Sequence, residues 1–322
     1  MKSWIVTPSE EGVNGLKYVC RLLPAASMGL IRKSMRKKNI TLNGKKMEGK
    51  EHLKAGDKVA IWFSDETLSK FMGNEKVEPK AEGLPHFEDF IIYEDENILA
   101  LNKPAGLLSQ GDSSGSLSLN DGVLSYLKDF ITPAFKPSIC NRLDRNTSGL
   151  LLAGKNMEAL QVLNELIRSR SVHKYYEALV LGEVPGEGVF KGYMAKDREK
   201  NQVSFSEKPV RGSLPVETRF ERLKTLTKNG ITFSLVKILL VTGRSHQIRV
   251  HFQSAGHPLL GEKKYGSEES ISASEKLHIR RQMLHAFRLE FPEMEGNLSN
   301  LSGKVMEAPL PEDFRKVLGI RR

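Results

Sequence analysis

The chain has 322 residues, of which 39% are hydrophobic and 27% charged, and this is ordinary for a globular protein long enough for two domains. Its two cysteines, Cys20 and Cys140, are too few for a disulfide framework or a cysteine metal cage, and they indicate a reducing compartment. The first residues lack the apolar core of a signal peptide, and no apolar run approaches the roughly 18 residues of a membrane span, so we expect a cytoplasmic protein with no membrane partner.

Basic residues are concentrated in the first fifth of the chain. Residues 1–64 contain 13 Lys and Arg against 5 Asp and Glu, so they carry +8 of the net charge of +10. A local excess of this size predicts a polyanionic partner, and RNA, DNA and an anionic membrane surface are all compatible with it. The alternative is that these charges form a solvent-exposed surface that only keeps the protein soluble.

Residues 1–64 predict a short strand, two short helices, a hairpin and a final strand. Ser27 is a good N-cap for the second helix, and Asn43-Gly44 between two strand-like pieces is a strong hairpin signal. The second helix and the residues after it carry a basic cluster, which consists of Arg32, Lys33, Arg36, Lys37 and Lys38. This order resembles a small α/β S4-like RNA-binding domain, which implies that the basic cluster lies along an RNA backbone and binds it in a salt-dependent way.

Residues 65–88 differ in character from the residues before them. They contain few aliphatic residues, several Gly and Pro, and a mixture of Lys and Glu. We interpret them as a linker that lets the first domain dock independently of the second, which spans residues 89–322.

The second domain opens with two predicted apolar strands, at residues 90–93 and 98–101. The turn Asn102-Lys-Pro-Ala-Gly106 takes the chain out of the sheet, because Pro104 cannot donate a ladder hydrogen bond. A helix is predicted within 119–131, and the apolar run at 150–153 predicts a buried strand.

Later elements follow from similar patterns. Residues 157–170 have the spacing of an amphipathic helix, and strands are predicted at 172–182, 233–241 and 284–292. We expect an extended hairpin but little strand within 193–226 apart from 203–205 and 217–220. A surface excursion at 267–275 is expected before a helix, and a short helix near the C-terminal end.

A polar loop precedes the strand at 150–153. Within residues 141–151, Asn-Arg-Leu-Asp-Arg-Asn-Thr-Ser-Gly-Leu-Leu, a carboxylate at Asp144 stands between Arg142 and Arg145. Two flanking cations favour the charged form, so we expect Asp144 to be ionised and able to act as a nucleophile. On these residues alone, a loop acid in a surface salt bridge is the more frequent alternative.

This loop resembles the catalytic signature of the RluA-type pseudouridine synthases, which isomerise uridine to pseudouridine in structured RNA. Two other segments resemble the same family: Asn102-Lys-Pro-Ala-Gly106, and the strand at 172–182, which matches Lys-x-Tyr-x-Ala-x-Val-x-Gly. The resemblance implies a pseudouridine synthase fold of the α+β class, with a central mixed, mostly antiparallel sheet flanked by helices and loops.

The resemblance also implies roles for individual residues. Asp144 is the expected nucleophile, and Arg249 is expected to pair with it more closely than Arg145 does, at the floor of a basic cleft. Arg142 matches the arginine that fills the gap left in the RNA when the target base flips out. Further RNA or substrate contacts are expected from Arg244, His246 and Gln247.

One of two neighbouring tyrosines is expected in the same cleft. Counting along the strand places the tyrosine of the family at Tyr176, whereas alternation sends Tyr175 to the opposite face. Tyr176 is expected to stack on the flipped uracil and to take part in proton transfer.

No metal and no organic cofactor is expected. His246 and His251 could suggest a metal site, but their five-residue spacing does not align on a helix face, and no acid or Cys completes a ligand set. The implied isomerisation requires neither a redox step nor hydrolysis. Thr147 and Ser148 are expected to shape the loop, since no Gly-x-Ser-x-Gly elbow surrounds them.

Two positions depart from the family pattern. Asn141 stands where His is common, and Glu262 follows Gly261 where Gly-Asp is common. Both are expected to lie outside the chemical core, so they bear on fine positioning.

The sequence therefore favours an RNA pseudouridine synthase that acts as a monomer on large-subunit (23S) ribosomal RNA or on a ribosomal assembly intermediate. The alternative is a non-catalytic RNA-binding or ribosome-assembly protein with the same fold. The joint retention of Arg142, Asp144, Tyr176 and Arg249 favours the enzyme, because binding alone needs no carboxylate in a cleft that faces phosphates. An esterase or nuclease would need a metal set or a triad that the sequence lacks.

Overall fold

The structure, a computed structural model, describes residues 1–72, 83–197 and 202–320. Its N-terminal part is a four-stranded antiparallel sheet packed against two helices, in the strand order β1-β4-β2-β3. The elements are β1 (Lys2–Ile5), α1 (Gly15–Leu22), α2 (Met28–Arg36), β2 (Ile40–Leu42), β3 (Lys45–Lys46) and β4 (Lys58–Ile61).

Local signals in the sequence account for the second helix and the hairpin. Ser27 caps α2, because its side chain accepts the N–H of Leu30 at 3.3 Å. Asn43 and Gly44 both have positive φ, as a two-residue hairpin turn between β2 and β3 requires. Both predicted features are confirmed.

The N-terminal part packs directly on the rest of the chain. Its hydrophobic core includes Ala134, Phe135 and Met157. The buried carboxylate of Glu10 also accepts a hydrogen bond from the Thr132 hydroxyl. The expectation that the N-terminal part docks independently of the second part is therefore wrong, because residues of the second part belong to its core.

The residues interpreted as a linker begin with a helix. Helix α3 (Asp65–Met72) packs Leu68 into the N-terminal core, where it is 3% exposed. Phe71 and Met72 follow at three and four positions and share that apolar face. Residues 73–82 lie outside the described ranges. The domain boundaries at 64 and 88 stay a prediction.

The second part is built on one large sheet. Among the described residues it contains eleven strands, in the order β11-β10-β12-β13-β9-β14-β8-β6-β5, with β7 beside β8 and β15 beside β14. The strands are β5 (Ile91–Glu94), β6 (Ile98–Lys103), β7 (Ser138–Ile139), β8 (Ser148–Gly154), β9 (His173–Leu181), β10 (Glu187–Asp197), β11 (Gln202–Ser206), β12 (Leu214–Lys228), β13 (Ile231–Leu240), β14 (Leu284–Glu290) and β15 (Val305–Glu307). The β14–β8 pair is parallel and the other pairs are antiparallel, so the mixed, mostly antiparallel sheet of the prediction is confirmed.

Helices cover both faces of this sheet. They are α4 (Leu119–Tyr126), α5 (Met157–Ser169), α6 (Gln247–Ser254), α7 (Glu268–Lys276) and α8 (Glu312–Leu318). Alternation sends Leu101 and Leu151 into a core with α4 and α6, and sends Ala100 and Leu152 into a core with α5. The face covered by α4 and α6 carries the site described below.

The parallel contact between β8 and β14 requires a glycine. Gly149 lies opposite Ala286 and has a φ of +116°. A Cβ there would be 2.2 Å from the Ala286 carbonyl oxygen, so any larger residue would push the strands apart. The Ser-Gly that ends the polar loop therefore fixes where the loop joins the sheet.

Two expectations about the second part are wrong. Residues 193–226 were expected to hold strand only at 203–205 and 217–220; β11 and β12 contain these two segments, but β12 extends well beyond the second one, and the end of β10 was not expected. The expected surface excursion at 267–275 is itself helix α7, capped by Ser267 through the N–H of Ser270.

Candidate active site

A cleft of about 520 Å³ opens on the α4 and α6 face of the sheet, within the range usual for small-molecule sites. It is lined by residues 108–112, 140–144 and 243–249, together with Thr147, Ile167, Lys174, Tyr176, Leu240 and Leu284. The cleft brings together segments separated by more than a hundred residues in sequence.

The loop that carries Asp144 is held from two sides. A tight turn forms where Thr147 donates its N–H to the Asp144 carbonyl at 3.0 Å. The buried Ser109 hydroxyl donates to the Leu143 carbonyl at 2.7 Å and accepts the Leu143 N–H at 3.0 Å. Asp144 therefore has little freedom in its backbone, as a positioned reactive group requires.

Lys103 ties the same loop to the Asn102-Lys-Pro-Ala-Gly turn. Its fully buried ammonium donates to the carbonyls of Pro104, Leu107 and Arg145 at 2.9, 2.8 and 3.0 Å. Burial, reinforced by the Arg281 charge, lowers the pKa of Lys103. Three carbonyl acceptors nevertheless require all three hydrogens of the charged form, so we assign Lys103 as an ammonium.

Arg249 bridges two carboxylates at the floor of the cleft. Its Nη1 donates to Asp144 Oδ2 at 2.8 Å, while Nε and Nη2 donate to Glu262 at 2.6 and 2.8 Å. The side chains of Arg249 and Glu262 are 8% and 0% exposed, against 29% for Asp144. The expected ion pair is present, but the two-pronged contact is made to Glu262 and only one nitrogen reaches Asp144.

The charges of the buried trio formed by Asp144, Arg249 and Glu262 stabilise one another. Burial alone would lower the pKa of the Arg249 guanidinium, but the contacts and charges of Glu262 and Asp144 outweigh it and raise that pKa. Burial would raise the pKa of Glu262, but Arg249 and the backbone N–H groups of Lys264 and Tyr265 hold it below its usual value. Arg249 and Glu262 therefore remain charged at neutral pH.

The two arginines beside Asp144 point to other partners. Arg145 donates its Nε to the Gly106 carbonyl at 3.0 Å. Arg142 is exposed and lines the cleft. The salt bridge to Asp144 comes from Arg249, 105 residues away in sequence, so a local surface salt bridge does not describe this loop.

Tyr176, and not Tyr175, lines the cleft. Tyr176 is 6% exposed, and burial together with the Asp144 charge raises the pKa of its hydroxyl. Tyr175 donates to Glu290 at 3.1 Å, with Lys237 and Arg288 near its ring. The alternation expected from the sequence holds.

The segment before α6 contributes exposed and buried residues. Arg244 is exposed at the cleft. His246 is the N-cap residue of α6, with a φ of 55°, and shares a hydrogen bond of 2.7 Å with the Tyr265 hydroxyl. Burial lowers the pKa of His246, although the Asp144 charge opposes this.

Gln247 does not fit its expected role in RNA contact. It is 2% exposed, its Oε1 accepts from the Thr242 hydroxyl and the Arg244 N–H, and its Nε2 donates to the Glu217 carbonyl and the Thr218 hydroxyl. These four bonds use the full capacity of the amide. Gln247 therefore holds the segment in place, which the motif in the sequence could not distinguish from substrate contact.

Two residues at the site were not singled out from the sequence. Glu262 was placed outside the chemical core but contacts Arg249 directly. Lys174 is 8% exposed on the same face of β9 as Tyr176 and lines the cleft, and burial lowers its pKa. The spacing Lys-x-Tyr could have indicated Lys174, because residues two apart in a strand share a face.

The loop hydroxyls have structural partners. Thr147 Oγ1 accepts from Gln282 at 2.9 Å, and Ser148 Oγ bonds His285 Nδ1 at 2.9 Å. All four residues are buried. These contacts match the expected loop-shaping role.

The basic cluster lies on the surface of the N-terminal part. Its five members are all exposed. Arg32 and Arg36 also line a surface groove with Lys46, Lys50 and Glu48; Lys50 pairs with Glu48 at 3.0 Å, so Lys46 is the residue that extends the positive charge onto the hairpin.

The two histidines considered for metal binding lie in different surroundings. His251 is fully buried, bonds the Thr218 hydroxyl through Nδ1 and packs against the rings of Phe190 and Phe205. Over residues 1–72, 83–197 and 202–320, no three His, Cys, Asp or Glu side chains are grouped as metal ligands. None of the helices in those ranges is both long and apolar enough to span a membrane.

Known proteins resemble this chain in sequence. A family model described as RNA pseudouridylate synthase matches residues 97–254. The chain is 34% identical to ribosomal large subunit pseudouridine synthase C of Rickettsia typhi, across 94% of this chain and 95% of the relative. It is 33% identical to the protein of the same name from Pasteurella multocida, across 100% of this chain and 94% of the relative.

The fold is also found among solved structures. Human RNA pseudouridylate synthase domain containing 4 matches with a TM-score of 0.58 and 24% identity, over 73% of this chain and 93% of that one. This likeness supports the fold. The sequence relatives, similar over nearly the whole chain, show that it belongs to the RluA-type RNA pseudouridine synthases.

Proposed function

We propose that this protein converts uridine to pseudouridine in large-subunit ribosomal RNA, in the cytoplasm, with Asp144 as the nucleophile. The proposal rests chiefly on the Asp144 carboxylate, which is held by Arg249 beside the buried Tyr176 in an open cleft. The names of the relatives from Rickettsia typhi and Pasteurella multocida support ribosomal RNA as the substrate.

The reaction exchanges one bond of the nucleoside for another. The N1–C1′ bond of the target uridine breaks, the uracil turns, and a C5–C1′ bond forms. The C5 proton leaves and N1 gains a proton, so the overall change is an isomerisation. Arg249 occupies Oδ2 of Asp144, which leaves Oδ1 to attack either the ribose or the base.

Tyr176 serves the flipped base in two ways. Its ring stacks on the uracil, and base–aromatic stacking is worth roughly 1–3 kcal/mol. Its raised pKa keeps the hydroxyl protonated at neutral pH, so the group can donate a hydrogen bond and relay a proton near Asp144.

The surrounding cations bind and open the RNA. Flipping a base costs a few kcal/mol, and Arg142, exposed at the cleft, can fill the gap that the base leaves. Arg244 and Lys174 add positive charge at the cleft, and the basic cluster of the N-terminal part binds phosphates at a second place. All of these residues come from one chain, so we propose that the enzyme acts as a monomer.

The decisive test uses purified protein and unmodified ribosomal RNA, with pseudouridine mapped along the product. The native chain should create at least one new site and Asp144→Asn none. Asp129→Asn, which removes the same charge from an exposed position, should act like the native chain.

Two outcomes would contradict the proposal. If the native chain modifies no uridine in ribosomal RNA, this RNA is not the substrate. If Asp144→Asn modifies the RNA as well as the native chain does, Asp144 is not the nucleophile.

A further inference from the structure

The small N-terminal sheet has an outer face that its helices do not cover. Val59 and Ile61 of β4 point into the core and are 0% exposed. Trp62 follows on the other side, and its side chain is 56% exposed, whereas Trp4, the other tryptophan of the chain, is 9% exposed. An indole exposed to this degree leaves a large apolar ring in water.

Strand register identifies the neighbours of Trp62 on this face. Residues directly opposite in an antiparallel pair point to the same side of a sheet. Ala60 lies opposite Ser3 and Thr41, Lys58 lies opposite Ile5, and Thr41 lies opposite Lys46. The outer face therefore consists of Ser3, Ile5, Thr41, Lys46, Lys58, Ala60 and Trp62, of which Thr41 and Ala60 are buried and the other five are exposed. Two lysines and no carboxylate are among these described residues.

Trp62 also lies beside the end of the basic cluster. The backbone N–H of Trp62 donates to the Asn39 carbonyl at 2.8 Å, and Asn39 directly follows Lys38. Lys37 and Lys38 are both exposed. The face that carries the indole thus also carries two exposed lysines, exposed lysines at the end of α2 lie next to the residue that its backbone contacts, and the exposed carboxylates of Asp65 and Glu66 follow it in the chain.

We propose that Trp62 is a stacking platform for an unpaired base of the RNA whose phosphates the surrounding lysines bind. Single-stranded nucleic acids are bound by this combination of a cationic surface and an exposed aromatic ring, because every base has a face that can stack. A duplex keeps its bases inside the stack, so the site selects an unpaired segment.

The charge of the face favours RNA over a protein or a second copy of the chain. Lys46 and Lys58 share the face with Trp62, and the whole of residues 1–64 carries a net +8. Like charge would oppose the approach of a second copy. This inference rests on the proposed RNA binding, but it concerns a base contact remote from Asp144.

The test compares RNA binding and tryptophan fluorescence in the full-length chain. Single-stranded oligoadenylate is titrated into the native protein, Trp62→Ala, Trp62→Phe and the double variant Lys37→Ala/Lys38→Ala, over a series of salt concentrations. The native emission should be quenched on binding, because Trp62 is the exposed tryptophan and Trp4 lies in the core.

The variants should separate stacking from charge. Trp62→Ala should bind oligoadenylate at least about ten-fold more weakly than the native chain, with an unchanged dependence of affinity on salt. Trp62→Phe should bind it nearly as well as the native chain. Lys37→Ala/Lys38→Ala should reduce the slope by about 1.4, since each phosphate contact to a single strand contributes roughly 0.7.

Several results would overturn the inference. They are unchanged affinity of Trp62→Ala, native emission that saturating RNA does not alter, and emission that changes with protein concentration in the absence of RNA. If oligoadenylate binds without changing the Trp62 emission, while pseudouridine forms in ribosomal RNA, the stacking platform is refuted and the proposed function stands. If oligoadenylate does not bind, the stacking platform is also refuted, and the mapping of pseudouridine in ribosomal RNA decides the proposed function separately.

Discussion

Replacing Glu262 by Gln tests whether the activity depends on how Arg249 is held. Glu262 is fully buried and makes two of the three hydrogen bonds from Arg249 to carboxylates, at 2.6 and 2.8 Å. Glutamine has nearly the same shape, but its NH₂ group must face Arg249 in either orientation, and in one of them it also faces the backbone N–H groups of Lys264 and Tyr265, all of which are donors.

The size of the effect follows from these contacts. Removing one partner of a buried ion pair costs about 3–5 kcal/mol of unfolding free energy. We expect about 3 kcal/mol, at the low end of that range, because Asp144 still balances the charge of Arg249 and the amide retains one acceptor oxygen. A displacement of about 1 Å in Arg249 and Asp144 should lower kcat about 100-fold, while KM for RNA changes little.

The assay is tritium release from an RNA labelled at C5 of uridine, because bond formation at C5 expels that hydrogen. Unfolding in urea gives the stability of the same samples. Glu262→Asp keeps the charge and should retain activity within about ten-fold of the native chain. Glu183→Gln breaks the ion pair between Glu183 and Arg222. The Glu183 side chain is exposed to solvent, so this substitution should leave kcat unchanged.

A folded Glu262→Gln protein with native kcat would refute the view that Glu262 positions Arg249 for the reaction. An equal fall in kcat for Glu183→Gln would show that the loss is not specific to the buried trio.

Three further predictions concern the cleft and the fold around it. Tyr176→Phe should keep RNA affinity but slow tritium release about 10²-fold or more, whereas Tyr176→Leu should also weaken binding in a filter assay. Burial lowers the pKa of His251 to about 4, so the unfolded chain binds the extra proton between pH 6.5 and 4. His251 should contribute about 3 kcal/mol to the loss of stability as the pH drops through that window, in addition to the contribution of the buried His285, and His251→Phe should remove that part of the fall in urea titrations. Gly149→Ala should destabilise the fold by about 3 kcal/mol in thermal unfolding, because its Cβ meets the Ala286 carbonyl; unchanged stability would contradict that close approach.

Sequence reasoning located the elements with strong local patterns. The Ser27 cap, the Asn43-Gly44 turn and the apolar run that became β8 depend on a few adjacent residues, so they could be predicted. The polar strands within 193–226 were predicted only at 203–205 and 217–220, because their exposed outer residues leave little hydrophobic alternation to detect. Helix α3 was missed because one buried leucine and its neighbours suffice to dock it.

The site was predicted in part, for a similar reason. The Arg249–Asp144 contact spans 105 residues and came from family resemblance, since nothing local joins the two. Glu262 lies 13 residues after Arg249, beyond the end of α6, so the sequence did not show that the two side chains meet. Gln247 belonged to the recognised segment, but its burial depends on Thr218, which lies 29 residues earlier in the chain, and nothing local joins the two.

Phe135 and Met157 pack into the N-terminal core and so hold the basic cluster at a fixed distance from the cleft. Under the proposed function, the cleft and the basic cluster would therefore contact an RNA at a set separation. An RNA whose target loop and phosphate track match that separation engages both surfaces, and the second contact then benefits from a high effective concentration. An RNA with another spacing engages only one, so distance can select the substrate before any base is recognised.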